Sequence, residues 1–283
     1  MRIVVGILAS HDDVYDSFKR VWESHIEQVT LIVPNIDFVF LYGGEENRTE
    51  EHCVNCVKWT NLYCSISESL VNVLRKTLRF FEFVNEKYPS EEILVLRTNL
   101  STLFDFVKFK EFLNELPRDN LFGGSLIDGY NGAFTKISGT NFIMTRDIMD
   151  FILLEQDRFS YNLNEDVEIS ALVLFNRKCK MIAVKRLDFL QDIISFHKCK
   201  MFEKVFCYRF KSNNRKQDIE NMEDVMKVLH LNGSVNDYIK RHPNTIKEEH
   251  SMFQVLSECI WTIDNGPNPV LLKKLSKSNS SDN

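Results

Sequence analysis

The sequence predicts an α/β fold with a mainly parallel central sheet flanked by helices. Three observations carry this. RIVVGILAS, residues 2–10, is a continuous apolar run of β-prone residues, as in a strand buried on both faces. Strand-like and amphipathic segments then alternate through residue 100. Gly (10) and Pro (6) are scarce among the 283 residues, which removes collagenous, linker-rich and repeat-turn architectures.

Taken in order, Asp12 or Asp13 caps a helix after the first strand, with Val14, Phe18, Val21, Trp22 and Ile26 at helical spacing. DFVFLYG is a second strand ending at Gly43-Gly44, and the acidic stretch 45–51 reads as a solvated loop. A long helix is expected from Leu70 to Tyr88, its apolar face formed by Leu70, Val73, Leu74, Thr77, Leu78, Phe81 and Val84, with Pro89 as its stop. ILVL at 93–96 is a third buried strand. Ligands of such sheets sit at the carboxyl ends of strands, which makes Arg97-Thr98-Asn99-Leu100-Ser101 a candidate site by position alone.

Beyond residue 120 the texture changes. Four glycines between Gly123 and Gly132 mark a flexible loop or hairpin. GTNFIMT is a strand, RDIMDFILLE a helix, and Asn164 caps a helix beginning EDVEIS. MIAVKRLDF and VFCYRF supply two more strands. The expected organisation is a catalytic-type domain over 1–232, a polar helical appendage over 233–275 and a disordered tail over 276–283.

The balance of charge is 35 Lys plus Arg against 40 Asp plus Glu, a net charge of −5, which argues against nucleic acid as a partner. No stretch of the sequence reads as a secretory signal or a membrane span. The seven cysteines are odd in number and scattered, so reduced thiols and a cytoplasmic location are expected. Cys53-x-x-Cys56 lacks a second pair for zinc, and His197 stands alone. Walker, nucleophile-elbow and dinucleotide-binding glycine motifs are all missing.

Two constellations have chemical meaning. Glu165 and Asp166 fall in the first turn of a helix, where they serve either as capping groups or as a general base on a rigid support. Arg209, Lys211, Arg215 and Lys216 form a basic cluster in a net acidic protein, either a solvated face or an anion site.

The N-terminal strand, Lys76-Thr77, LRTNLSTLF, GTNFIMTRD, EDVEIS and YRFKS, in that order over residues 1–230, resemble a GT-A glycosyltransferase. They are most similar to the small glycosyltransferases of large DNA viruses such as chloroviruses. They are similar, more distantly, to the β1,3-galactosyltransferase and Fringe group. The resemblance implies the GT-A nucleotide-diphospho-sugar transferase fold. It also implies transfer of a sugar from a nucleotide donor, UDP-linked and possibly UDP-xylose, to a glycan or glycoprotein hydroxyl, with inversion, in virus-encoded glycan synthesis.

On that likeness Asp166, with Glu165 in reserve, deprotonates the acceptor. Ala9, Ser10, Lys76, Arg97, Thr98, Asn99, Ser101, Arg209, Lys211 and Arg215 serve the donor, Arg97 also anchoring the strand end, and Gly139 and Thr140 serve the acceptor. The Fringe group has Lys-Thr-Asp-Asp-Asp where this chain has Arg97-Thr98-Asn99-Leu100-Ser101. An amide and a hydroxyl are poor ligands for a hard cation, so no metal ligand is assigned and no cofactor is required, Mn²⁺ staying an open alternative. The basic cluster then stabilises the departing diphosphate. The rival readings are an inactive nucleotide-sugar- or glycan-binding module of the same fold, and a metal-dependent hydrolase.

Overall fold

The computed structural model describes residues 1–54, 57–129, 134–190, 193–197, 205–231, 235, 246–249 and 260–263. Its elements are β1 (Arg2–Leu8), α1 (Asp13–Ile32), β2 (Ile36–Gly44), β3 (Arg48–Val54), β4 (Val57–Ser65), α2 (Val73–Lys87), β5 (Ile93–Asn99), β6 (Thr102–Phe104), α3 (Phe106–Leu113), β7 (Leu121–Gly124), β8 (Leu126–Gly129), β9 (Phe134–Ile137), β10 (Asn141–Thr145), α4 (Arg146–Leu154), α5 (Glu165–Asn176), β11 (Cys179–Ala183), β12 (Arg186–Leu190), β13 (Ile193–His197), β14 (Cys207–Phe210), α6 (Arg215–His230), β15 (Ile246–Glu249) and β16 (Ile260–Ile263).

The main sheet has nine strands in the order β16-β11-β7-β10-β5-β1-β2-β4-β3. Strands β1, β2, β4, β5, β7 and β11 run one way, and β3, β10 and β16 oppose them. The sheet is therefore mainly parallel and flanked by helices, as the apolar runs predict. Leu8 pairs with Leu41 on one side and Asn99 on the other, so the central strands end level.

The strand β1 shows why this sheet is interior. Ile3, Val5 and Ile7 pack into one core with α1, α3 and α6, while Val4 packs into a second core with α2, α4 and α5. Gly6 lies under Phe80 so closely that an added Cβ would sit 2.5 Å from the ring, and only glycine lets α2 approach. Helix α1 starts at Asp12, whose carboxylate accepts from Val14 N at 2.9 Å, and Asp13 and Asp16 complement the helix dipole. It buries Phe18, Val21, Trp22, Ile26 and Val29, an i, i+3, i+4 stripe, while Val14 is exposed.

Several expectations are corrected. Residues 48–51 of the acidic stretch are not loop but the start of β3, an edge strand whose charged residues suit a sheet margin. Leu70 is exposed in a short 3-10 turn, and the α-helix begins at Val73. β5 extends to Asn99, so Arg97 and Thr98 lie within the strand and only Asn99 reaches its end. MIAVKRLDF is two strands, β11 and β12, which belong to different sheets. In the stretch expected to be helical, 246–249 and 260–263 are strands; its remainder and the tail 276–283 lie outside the described residues.

The second sheet, β15-β13-β12-β14-β6, starts where the first one stops. β6 follows β5 after Leu100-Ser101, and β12 follows β11 after Val184-Lys185. Leu187, Phe189 and Phe210 turn into the core, Phe189 and Phe210 stacking at 4.7 Å. By strand alternation Arg186, Asp188 and Arg209 take the opposite face. That face lies beside the carboxyl edge of the main sheet.

Candidate functional site

Behind this edge sits a buried ion pair. Arg97 is 1% exposed; its Nε donates to Glu165 Oε1 at 2.7 Å and to Thr77 Oγ1 at 3.3 Å. Nη2 pairs with the other Glu165 oxygen, Nη1 donates to the Gly139 carbonyl, and the Thr77 hydroxyl donates to Glu165. Burial pushes the Arg97 guanidinium down from its usual pKa, and the nearby Asp166 charge opposes that. Such a pair is tolerable only with its donors and acceptors filled. Arg97 and Glu165 thus join β5, α2, α5 and the loop 138–140.

Lys76 has a similar place. It is 3% exposed, donates to the Ala9 carbonyl at 3.1 Å and pairs with Glu68, whose second oxygen accepts from Gly43 N at 2.5 Å. It ties together the ends of β1 and β2. Thr98 is fully buried and donates to the Thr140 carbonyl at 2.7 Å.

Asp166 is different. The carboxyl groups of Glu165 and Asp166 take partners outside α5, and at the start of that helix Val167 N and Glu168 N donate to the Asn164 carbonyl. The Asp166 side chain turns outward, where Oδ1 accepts from Lys136 Nζ at 2.7 Å and Oδ2 from Gly139 N at 3.3 Å. It stays 17% exposed, against 4% for Glu165. A Cβ on Gly139 would lie 3.3 Å from Asp166 Cβ and 3.5 Å from Glu165 Oε2, so glycine lets this loop pass close to both carboxylates.

A chain of polar contacts leads from here to the basic cluster. Arg186 donates to Ser138 Oγ at 2.9 Å and Thr140 Oγ1 at 2.7 Å, and grips Asp188 with two bonds of 2.5 and 2.8 Å. Asp188 faces Arg209 at 3.8 Å, too long for a hydrogen bond. Arg209 Nε is buried with no hydrogen-bond partner among the described residues. Burial, and then the Arg186 charge, push the Arg209 guanidinium down; the Arg209 charge is the main reason Lys211 is lowered. Lys211 is exposed just past β14, and Arg215 pairs with Asp218 at 3.0 Å. Cations outnumber carboxylates here.

At the end of β5, Asn99 Oδ1 accepts from Ser101 Oγ at 3.2 Å and Thr102 Oγ1 at 2.8 Å, while Leu100 is buried. An amide oxygen already in use, an alkyl chain and a hydroxyl do not fit a hard divalent ion. Among the described residues no three His, Cys, Asp or Glu cluster as metal ligands. The side chains of Asp128, Cys56 and His197 lie outside the described residues.

At the ends of β1, β2 and β4 the rings of His11, Tyr42 and Tyr63 stack, His11 lying 4.7 Å from Tyr42 and 5.9 Å from Tyr63. The sequence reading missed these rings, together with Glu68, Lys136, Arg186 and Asp188. Arg186-x-Asp188 was legible as two charges on one strand face; Lys136 carried no local signal, because its partner is thirty residues on.

Fold and site define an α/β protein with a set of polar side chains between the carboxyl ends of its main sheet and a second sheet. The chain matches no family model, and no curated protein resembles it in sequence. Among solved structures it is similar to a glycosyltransferase involved in the glycosylation of the major capsid of PBCV-1, at 12% identity and TM-score 0.46, over 79% of this chain and 99% of that one. It is also similar to the galactosyltransferase LgtC, solved in complex with donor and acceptor sugar analogs, at 11% identity and TM-score 0.46, over 80% and 95%. An active-site mutant of LgtC gives 10% identity and TM-score 0.45, over 78% and 94%. At these identities no role passes from those proteins to a residue of this chain. No helix among the described residues is long and apolar enough to cross a membrane.

Proposed function

We propose that the chain is a GT-A-type glycosyltransferase that moves a sugar from a nucleoside diphosphate, UDP by resemblance, to a glycan hydroxyl with inversion. The observation that carries this is the continuous polar chain from Asp166 through Gly139, Thr140, Arg186 and Asp188 to Arg209. It joins a carboxylate turned off its helix to a guanidinium whose buried Nε has no acceptor among the described residues.

In this reading Asp166 takes the acceptor proton as the acceptor oxygen attacks the anomeric carbon. The bond from that carbon to the diphosphate breaks, and Arg209, Lys211 and Arg215 meet the charge that grows on the leaving oxygen. Asn99, Ser101 and Ser10 line the donor's path at the strand ends, and His11 with Tyr42 and Tyr63 offers a stacking face for the base. Glu165, Arg97, Thr98 and Lys76 become positioning residues, because the contacts above already engage their side chains. No step runs through a metal ion.

The test is UDP release from UDP-xylose, UDP-glucose and UDP-galactose, with and without a panel of methyl glycosides, in excess EDTA. Acceptor-dependent release that falls about 10²-fold in Asp166→Asn, with an unchanged melting temperature, is the expected result. UDP binding without release in any pairing would instead favour an inactive binding module.

A further inference from the structure

An aspartate in the first turn of a helix ordinarily finds its stabilisation in the helix's own N–H groups and dipole. Asp166 is drawn away from them. Its strongest contact is the Lys136 ammonium, 2.7 Å from Oδ1, and Oδ2 keeps only the longer 3.3 Å contact to Gly139 N.

Lys136 does not reach in from a loose surface loop. The residue is 8% exposed, and its strand is fastened to the helix that carries Asp166, because Ile137 N donates to Ser170 Oγ at 3.0 Å. Ile137 is itself fully buried, and Ser138 N bonds the Ser125 carbonyl at 2.7 Å. Helix, strand and ammonium are therefore fixed relative to one another, and the carboxylate has one favoured orientation.

We infer that Lys136 is a positioning residue that holds Asp166 outward, with Oδ2 as the edge presented to the acceptor hydroxyl. This rests on the reading of Asp166 as the base. The proton passes from the acceptor oxygen to Oδ2, while Lys136 keeps its own protons and bonds Oδ1 throughout. Its service is geometric: it prevents the side chain from turning back onto α5 and away from the acceptor.

The experiment combines structure and kinetics on Lys136→Met, Lys136→Arg, Asp166→Asn and the Lys136→Met/Asp166→Asn double variant. A crystal structure of Lys136→Met should show Asp166 turned onto the N–H groups of α5, and an unchanged Asp166 rotamer overturns the inference with no assay needed. In UDP release from UDP-xylose, UDP-glucose or UDP-galactose, Lys136→Met should lower kcat about tenfold with donor KM within about twofold. Lys136→Arg should restore most of the loss. The double variant should be no slower than Asp166→Asn, since both changes act through one carboxylate. A slow Asp166→Asn beside a Lys136→Met of normal rate refutes the role of Lys136 alone. An Asp166→Asn of normal rate refutes the base reading beneath it.

Discussion

Arg97 and Arg209 are both largely buried at the carboxyl edge of the main sheet, and they are built in opposite ways. Arg97 has Nε and both terminal nitrogens engaged by Glu165, Thr77 and Gly139. Among the described residues Arg209 has one carboxylate at 3.8 Å and a buried Nε with no acceptor, in the company of other cations. A guanidinium taken out of water needs compensation. For Arg97 the fold supplies it in full; for Arg209, 20% exposed, the fold supplies one carboxylate at 3.8 Å, and the reading proposed above adds the donor diphosphate. Arg97 thus holds the scaffold together, whereas Arg209 is the arginine that the proposed reading turns toward the donor.

The largest expected effect breaks the first of the two. Arg97→Met leaves the Glu165 carboxylate buried and unpaired, and should cost about 3–5 kcal/mol of stability, read by chemical denaturation. Replacing Glu165 by Gln in the same chain should recover much of that loss. Arg209→Met, by contrast, should leave stability unchanged or slightly raised. Equal losses in the two single variants would erase the distinction.

The buried His25 sharpens it, because this base avoids the charge altogether. Its Nε2 lies 2.8 Å from the Phe104 carbonyl, which can only accept, so Nε2 carries the proton and Nδ1 accepts from His230 Nε2 at 3.0 Å. Burial lowers its pKa to about 3. Below pH 6.5 the unfolded chain gains a proton that the folded chain refuses, so stability rises with pH between about 3 and 6.5. From pH 6.5 to 5 the loss should be about 2 kcal/mol. Denaturation curves across that range check it, and a slope that survives in His25→Gln would assign it to other groups.

The smallest effect concerns Lys211. It is exposed, and its ammonium feels Arg209 chiefly as a like charge. Lys211→Ala should lower turnover by only about 1 kcal/mol of transition-state stabilisation, because solvent screens it. A loss as large as that of Arg209→Ala would make Lys211 the principal cation.

Much of the fold was legible because it is written in local pattern. The apolar run of β1, the stripe of α1 from Phe18 to Val29 and the Pro89 stop each declare an element within a few residues. β3 was not legible, since its charges suit a loop and an edge strand equally. Of the site, sequence order pointed to the neighbourhoods of Arg97, Asp166 and Arg209, and resemblance gave each a task, but the residues that engage their side chains were not legible. Whether a carboxylate caps its helix or turns outward depends on Lys136 and Gly139, which only the folded chain brings alongside. How fully an arginine is partnered depends likewise on residues distant in sequence.

The most direct measurement is the affinity of the wild-type chain and of Arg209→Ala for UDP, by calorimetry, beside their ligand-free melting temperatures. UDP carries the charge of the departed leaving group, so its binding reads the interaction assigned to Arg209. The account predicts that Arg209→Ala weakens UDP binding by about tenfold or more while the ligand-free protein melts no lower. Equal UDP affinity in the two proteins, or a fall in melting temperature that shows Arg209 to be part of the scaffold, would contradict it.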